Sequence, residues 1–272
     1  MITFGDTHRE HCPICASSNV EKLWTIPFSK IAPPVKINGA MTSMAPILDV
    51  DSTVYCYSSC GSCQSIFLDP YDGTARAAYK TSRFHATEAA KHDTARLQGY
   101  QNQYDNWIKP HLPSIPKVRM LDAGCGAGEY LLCALHDRPT GFAGLMGVEL
   151  SKHSVETVNS TSPNRVLLSA QQLDLDEPGS LAHLAAFDFI VLSEVFEHLE
   201  FPRVALANLA RVLATGGKMF FTAQCPGGNL PIRPAEPIYT SEVGLHRLMQ
   251  ELGLTVLISK MEAGRWKTVV QK

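Results

Sequence analysis

The sequence predicts an α/β fold: a seven-stranded, mostly parallel sheet with helices on both faces, preceded by a small cysteine-bearing module. Three observations predict it. Beyond residue 113, strand-like apolar runs alternate with helix-like stretches, and that rhythm buries a parallel sheet between helices. The last two runs are joined only by the turn pair Ala263-Gly264, so the final strand is expected to run antiparallel. Five of the eight cysteines fall within the first 63 residues, four of them in two C-x-x-C turns.

The chain of 272 residues reads as three segments, 1–70, 71–112 and 113–272. The first carries cysteines, prolines and short apolar runs. The second is polar and helical in pattern, with one Gly and no Pro between Ala75 and Lys109. In the third, strands are expected at 117–123, 145–150, 165–170, 187–193, 218–223, 254–261 and 265–271. Helices are expected at 128–137, 151–160, 178–186, 201–214 and 240–252. Ser151 and either Thr240 or Ser241 read as N-caps, and Gly216-Gly217 as a helix stop leading into a strand.

Composition narrows the function classes. A hydrophobic content of 45% suits a globular chain, and no apolar run reaches the length of a membrane span. The first residues show no basic stretch followed by an apolar run, so no export signal is expected and a cytoplasmic location is. In a reducing compartment, clustered cysteines point to a metal rather than disulfides. A formal net charge of -2 gives no global reason to expect nucleic acid.

The most informative stretch is Met120 to Leu131, "MLDAGCGAGEYL". It joins an apolar strand end, an aspartate, glycines at alternate positions and a helix start. Ligands of open α/β sheets lie at the carboxyl ends of the strands, so this turn is where a nucleotide cofactor is expected. Glu149 ends the next strand, where ribose hydroxyls are expected. NAD, FAD and S-adenosylmethionine all suit that frame. The charges separate them: a pyrophosphate beside Asp122 would cost on the order of 1–4 kcal/mol in like-charge repulsion. A sulfonium and an ammonium would be stabilised there. The spacing is also G-x-G-x-G rather than G-x-G-x-x-G.

"VRMLDAGCGAGEYL" resembles the first motif of class I S-adenosylmethionine-dependent methyltransferases. "LMGVELS" resembles their acidic second motif, and "FDFIVLSEVFEHLEFPRVALANLARVLATGGKMFFTA" their block after the fourth strand. The likeness spans about residues 115–272 in order. It implies a Rossmann-like fold and S-adenosylmethionine as cofactor. It implies that Asp122, Gly124, Cys125, Gly126 and Gly128 line the methionine half, that Glu149 takes the ribose hydroxyls and that Leu150 flanks the adenine. Many relatives carry an aspartate after the third strand. Gln171 and Gln172 stand there, and a glutamine amide would have to replace it. Ser193 and Glu194 would face the methyl end.

A hydroxyl or amine acceptor must lose a proton, and a positioned base contributes roughly 10²–10⁴-fold. His198, in "SEVFEHLE", is the candidate base, with Glu194 or Glu197 to orient it. The other reading of this Glu-His pair is support of the loop. Tyr100, Tyr104 and Trp107 share one helix face, either covering the pocket or packing on the sheet. His85 and His92 are seven apart on the same segment, and Arg233, in the proline-rich loop after the fifth strand, could meet an anion.

Cys12-x-x-Cys15 and Cys60-x-x-Cys63 look like zinc-ribbon knuckles, which place four thiolates around one Zn²⁺ at about 2.3 Å. Cys56 is a substitute ligand or a bystander. Such a module before a methyltransferase fold resembles small-molecule methyltransferases on one side and a ribosomal RNA guanine methyltransferase family on the other. Residues 1–70 hold Arg9, Lys22, Lys30 and Lys36 against Asp6, Glu10, Glu21, Asp49, Asp51 and Asp69. That acidic balance repels a phosphate backbone. The expectation is a small-molecule acceptor methylated on oxygen. The rivals are RNA methylation and a fold that binds without turnover.

Overall fold

The computed structural model describes residues 9–27, 36–37, 40–41, 54–69, 80, 94–161, 167–225 and 236–272. The N-terminal region supplies β1 (Val20–Pro27), β2 (Lys36–Ile37), β3 (Ala40–Met41), β4 (Val54–Cys60) and β5 (Ile66–Leu68). Helix α1 (Thr94–Gln103) leads into β6 (Val118–Ala123), α2 (Glu129–Asp137), β7 (Phe142–Glu149), α3 (Lys152–Thr161) and β8 (Leu168–Gln172). There follow β9 (Phe187–Leu192), α4 (Pro202–Val212), β10 (Leu213–Gln224) and β11 (Ile238–Tyr239). The chain ends with α5 (Glu242–Glu251), β12 (Thr255–Glu262) and β13 (Arg265–Gln271).

Seven strands form the main sheet in the order β12-β13-β10-β9-β6-β7-β8. The five from β10 to β8 pair in parallel. As the Ala263-Gly264 turn predicts, β13 runs antiparallel, to β10 on one side and β12 on the other. Strand periodicity divides the core. Met120, Phe189, Val191, Phe220 and Val269 meet α2, α3 and the segment after α1. Their neighbours Leu121, Ile190, Leu192, Phe221 and Val270 meet α4, α5 and the cysteine knuckles. Successive side chains point to opposite faces, so runs apolar at every position are what a sheet covered on both faces requires.

Three expectations need correction. No helix forms over 178–186. That stretch is a series of turns, with Gly179 at φ +76°. Asn208 of α4 organises it. Its Oδ1 accepts from the Gly179 N–H (2.9 Å), and its Nδ2 donates to the Leu175 and Glu177 carbonyls (3.0 and 2.8 Å). Asn208→Ala would orphan buried backbone groups, and the expected loss is about 2–3 kcal/mol, checked by urea denaturation. Second, Gly216-Gly217 does not stop the helix, which already ends at Val212; the pair lies inside β10, where pairing with β9 shifts register. Third, the helix containing the aromatic stripe is not uniform. Tyr104–Ile108 is a π-turn, with Tyr104 and Trp107 buried against the sheet. Trp107 stacks on Phe220 at 5.9 Å.

A second sheet, β1-β4-β5-β11, joins the N-terminal region to a late strand. β11 pairs with β5, and the Leu68 N–H donates to the Pro237 carbonyl at 2.8 Å. Arg203 of α4 donates to the Ile14 carbonyl at 2.8 Å. Cys12, Ile14, Cys15, Cys60, Cys63 and Phe67 belong to the same buried cluster as Leu206, Leu245 and Phe221. No helix among the described residues is long and apolar enough to cross a membrane.

Candidate active site

The carboxyl ends of β6, β7, β8 and β9 converge on one edge. At its centre, Gly124, Gly126 and Gly128 have φ of +77°, +53° and +86°. L-residues with a Cβ avoid this region, which is why the turn reads G-x-G-x-G. The Gly124 and Cys125 N–H groups donate to the Val148 carbonyl at 2.7 and 3.1 Å. The Cys125 side chain is buried, its Sγ against Gly147, so Cys125 can offer a ligand only its backbone.

Glu149 binds across this turn. One carboxylate oxygen accepts from the Gly126 N–H (3.0 Å), and the other from Leu150 and Ser151 (2.8 and 3.0 Å). An ionised carboxylate offers about four acceptor positions. Three are used, so gripping two ribose hydroxyls requires releasing at least one amide. Gln172 Nε2 donates to the Leu150 carbonyl at 3.0 Å, and Gln171 Oε1 lies 3.1 Å from His183 Nε2. Leu150 and both glutamines thus border Glu149, on the side expected for the adenine.

Asp122 is 2% exposed, and its Oδ2 has no hydrogen-bond partner. Burial, then the charges of Glu129 and Glu149, hold its carboxyl well above the usual range. An unpaired buried acid among other carboxylates is a cradle for a cation. Glu129 is itself ion-paired with Arg96 of α1. From the same helix, Gln103 Nε2 donates to Tyr130 Oη (2.7 Å) and Ser193 Oγ (2.8 Å). Tyr100 meets the Tyr130 ring edge-to-face, with centroids 4.9 Å apart. Helix α1 therefore lies over Glu129, Tyr130 and Ser193 beside the glycine turn.

Glu194, Glu197 and His198 follow β9. Glu194 has φ +58°, a strained value for a non-glycine residue. Its N–H donates to Thr222 Oγ1 (2.8 Å), and its carboxylate pairs with Arg265 at 2.7 Å. Glu197 is fully buried. Its Oε1 lies 3.9 Å from Arg265 and 3.3 Å from the Gln224 side-chain amide, while Oε2 has no partner. His198 is half-buried at the end of the short turn Phe196–His198. Both acids thus engage Arg265, a partner that sequence reading missed.

Burial and then Glu194 raise the Glu197 carboxyl from the usual 4.5 to about 8. Between those values it is protonated in the fold and ionised in the unfolded chain, so folding takes up a proton. Stability should fall as pH rises through this window and level off above it. Glu197→Gln should therefore be more stable than the parent at pH 8 and equal to it near pH 4, checked by urea midpoints at both.

The four cysteines converge. Cys12 Sγ lies 3.7 Å from Cys63 Sγ, Cys15 Sγ lies 3.5 Å from Cys60 Sγ, and all four sulfurs are within 4.8 Å of one another. A tetrahedron with Zn–S near 2.3 Å has edges of about 3.8 Å. The knuckles are built alike: Ala16 and Gln64, each just after the second cysteine, have φ of +57° and +60°. The pair sits on the first turn of α5, where Ser241 caps the helix through the Gly244 N–H (2.9 Å) and donates to the Cys63 carbonyl. A Cβ at Gly244 would come within 3.3 Å of Cys63 Sγ.

His85, His92, Arg233 and the Cys56 side chain lie outside the described residues. Sequence reading gave no role to Arg96, Gln103, Tyr130 or Arg265. Glu129, like Asp122, reads from the quoted motif as an acid at the edge of the turn, and Tyr130 stands beside it. The contacts of Arg96 and Gln103 span 33 and 90 positions, which no local pattern signals.

A family model described as a methyltransferase domain matches residues 77–258. A malonyl-[acyl-carrier protein] O-methyltransferase of Herminiimonas arsenicoxydans is 30% identical over 149 residues, covering 55% of this chain and 53% of that protein. The O-methyltransferase rstn1 of Aspergillus nomiae is 29% identical over 167 residues, covering 55% and 70%. The chain thus spans about half the length of the first of these relatives. In fold it is similar to an S-adenosylmethionine dependent methyltransferase from Mesorhizobium loti, with TM-score 0.50 and 16% identity over 65% of this chain and all of that one.

Proposed function

Since the chain belongs to the methyltransferase-domain family, we propose that it transfers a methyl group from S-adenosylmethionine to an oxygen of a small molecule. On this reading residues 1–70 form a zinc module, 71–112 a lid and 113–272 the catalytic domain, in a reducing, cytoplasmic setting. The observation that carries the cofactor is Asp122: a buried carboxyl with an orphaned oxygen beside Glu129 and Glu149 fits a cationic ligand and opposes a pyrophosphate. The oxygen acceptor is supported by the O-methyltransferase names of the two relatives.

When bound, S-adenosylmethionine supplies a methyl group on an already activated leaving group. The chain's work is then to hold an acceptor in line and dry, which supplies up to ~7–11 kcal/mol in well-oriented systems. Asp122 balances positive charge, the glycine turn allows close approach, and Glu149 takes a ribose hydroxyl. Gln171, Gln172 and Leu150 border the base. Helix α1 excludes water through Arg96, Tyr100 and Gln103. Ser193 faces the methyl edge. His198 takes the acceptor's proton, and Glu194 and Glu197 hold its turn in place through Arg265. The four thiolates hold Zn²⁺ with no position left open, a structural rather than catalytic site.

The test is titration calorimetry followed by transfer of labelled methyl to cell-extract fractions. Asp122→Asn keeps the shape and removes the carboxyl that a bound cation would draw into its ionised form, so S-adenosylmethionine should bind about 10–150-fold more weakly, the equivalent of about 1.5–3 kcal/mol. Label should enter the small-molecule fraction and not RNA. Absence of donor binding by the parent chain would overturn the reading.

A further inference from the structure

Lys260 and Lys267 stand directly opposite one another across the β12–β13 hairpin. Like charges in that relation are destabilising, and the sheet has no need of them. Glu262 answers Lys267 at 2.9 Å, and Lys260 has no ion pair among the described residues. Both lysines, with Glu262, line a cavity of about 390 Å³ between the hairpin and the face of α1 and its π-turn that carries Asn102, Gln103 and Asn106. That volume lies within the roughly 300–1,000 Å³ of small-molecule sites. Lys267 Nζ sits 5.7 Å from the centre of the Trp107 ring, which holds it against the cavity wall. Gln98 occupies the Asn102 Oδ1 at 2.9 Å, which leaves the Asn102 amide NH₂ as a donor.

The cavity adjoins the methyl edge at two points. Gln103 lines it and also reaches Ser193. Thr222, the sheet partner of Lys267, accepts the Glu194 N–H. An acceptor seated here would have its reacting end near Ser193 and its far end between the lysines.

We propose that this cavity takes an anionic group of the methyl acceptor, a carboxylate or a phosphate, held by Lys260 and Lys267 with the side-chain amide of Asn102. The inference rests on the methyltransferase reading and adds the substrate class: a small organic acid or phosphate ester. The unanswered charge of Lys260 is what such a group would satisfy.

The test uses the full chain saturated with S-adenosylhomocysteine, probed by saturation-transfer NMR with benzoate, phenyl phosphate and benzyl alcohol. At least one anion should bind tenfold or more tightly than the neutral alcohol, and the stronger of the two identifies the group. Lys260→Met and Lys267→Met should each weaken that anion at least threefold and leave S-adenosylhomocysteine affinity within twofold. Lys260 is exposed and has no ion pair among the described residues, so its variant keeps the fold even if the loss of the Lys267–Glu262 pair is disruptive. Equal binding of the alcohol, no saturable binding of either anion, or anion binding indifferent to both substitutions would overturn this inference alone. Failure of S-adenosylhomocysteine itself to bind would overturn the methyltransferase reading and this inference with it.

Discussion

Gly124→Ala is expected to abolish cofactor binding and to cost about 2–5 kcal/mol of stability, combining about 1–2 for a left-handed alanine with about 1–3 for overpacking. The first part follows from a φ of +77°. The second follows because a Cβ there would lie 2.2 Å from Val195 Cγ2 and 3.2 Å from Cγ1. Val195 belongs to the loop after β9, so relief of the clash moves that loop, which carries Glu194 and His198. Urea denaturation and calorimetry with S-adenosylmethionine measure the two effects. Val195→Ala in the same chain should recover the steric part and leave the conformational part. A Gly124→Ala chain that binds the donor as the parent does would sink the cofactor assignment of the turn.

Cys63→Ser carries the other large effect. The purified parent should hold one zinc per chain, and the variant should hold less than about a tenth of an equivalent, with Cys133→Ser as the unaffected control. Structural zinc contributes about 10–16 kcal/mol in isolated peptides. Loss of even a third of that, about 4 kcal/mol, lowers the melting temperature by about 8–16 °C in a chain of this size. The fall should extend beyond the module, because the four cysteines share a buried cluster with α4, α5 and β10. Ser241 and Gly244 contact Cys63 at the start of α5, and β11 joins β5, so loss of the metal should also loosen α5 and β11. Metal content by mass spectrometry and melting by circular dichroism check both. A metal-free parent of unchanged melting temperature would remove the zinc assignment.

Legibility followed locality. The central strands β6, β9 and β10 were readable because a sheet covered on both faces needs apolar runs, and these stand out between polar helices. The helix expected at 178–186 failed because Asn208, about thirty positions away, offers that backbone better partners than a helix does. The helix boundary at Val212 was missed because the glycine pair that reads as a stop serves as a bulge inside β10.

The sequence alone determined the sheet, its final antiparallel strand, the glycine turn and the spacing of the four cysteines. Each depends on a residue's own conformational limits or on near neighbours, and short patterns carry that information. Only the tertiary structure decided that Arg265 pairs with Glu194 and Glu197, that Glu149 is already held by three amides, and that α1 closes over Ser193 through Gln103. It also decided that α1 and its π-turn close a cavity over the Lys260–Lys267 pair, whose register the Ala263-Gly264 turn sets locally. The reason is that charge and hydrogen-bond pairing between distant segments depends on how they are brought together in space, and no periodicity along the chain encodes which side chain will arrive opposite which.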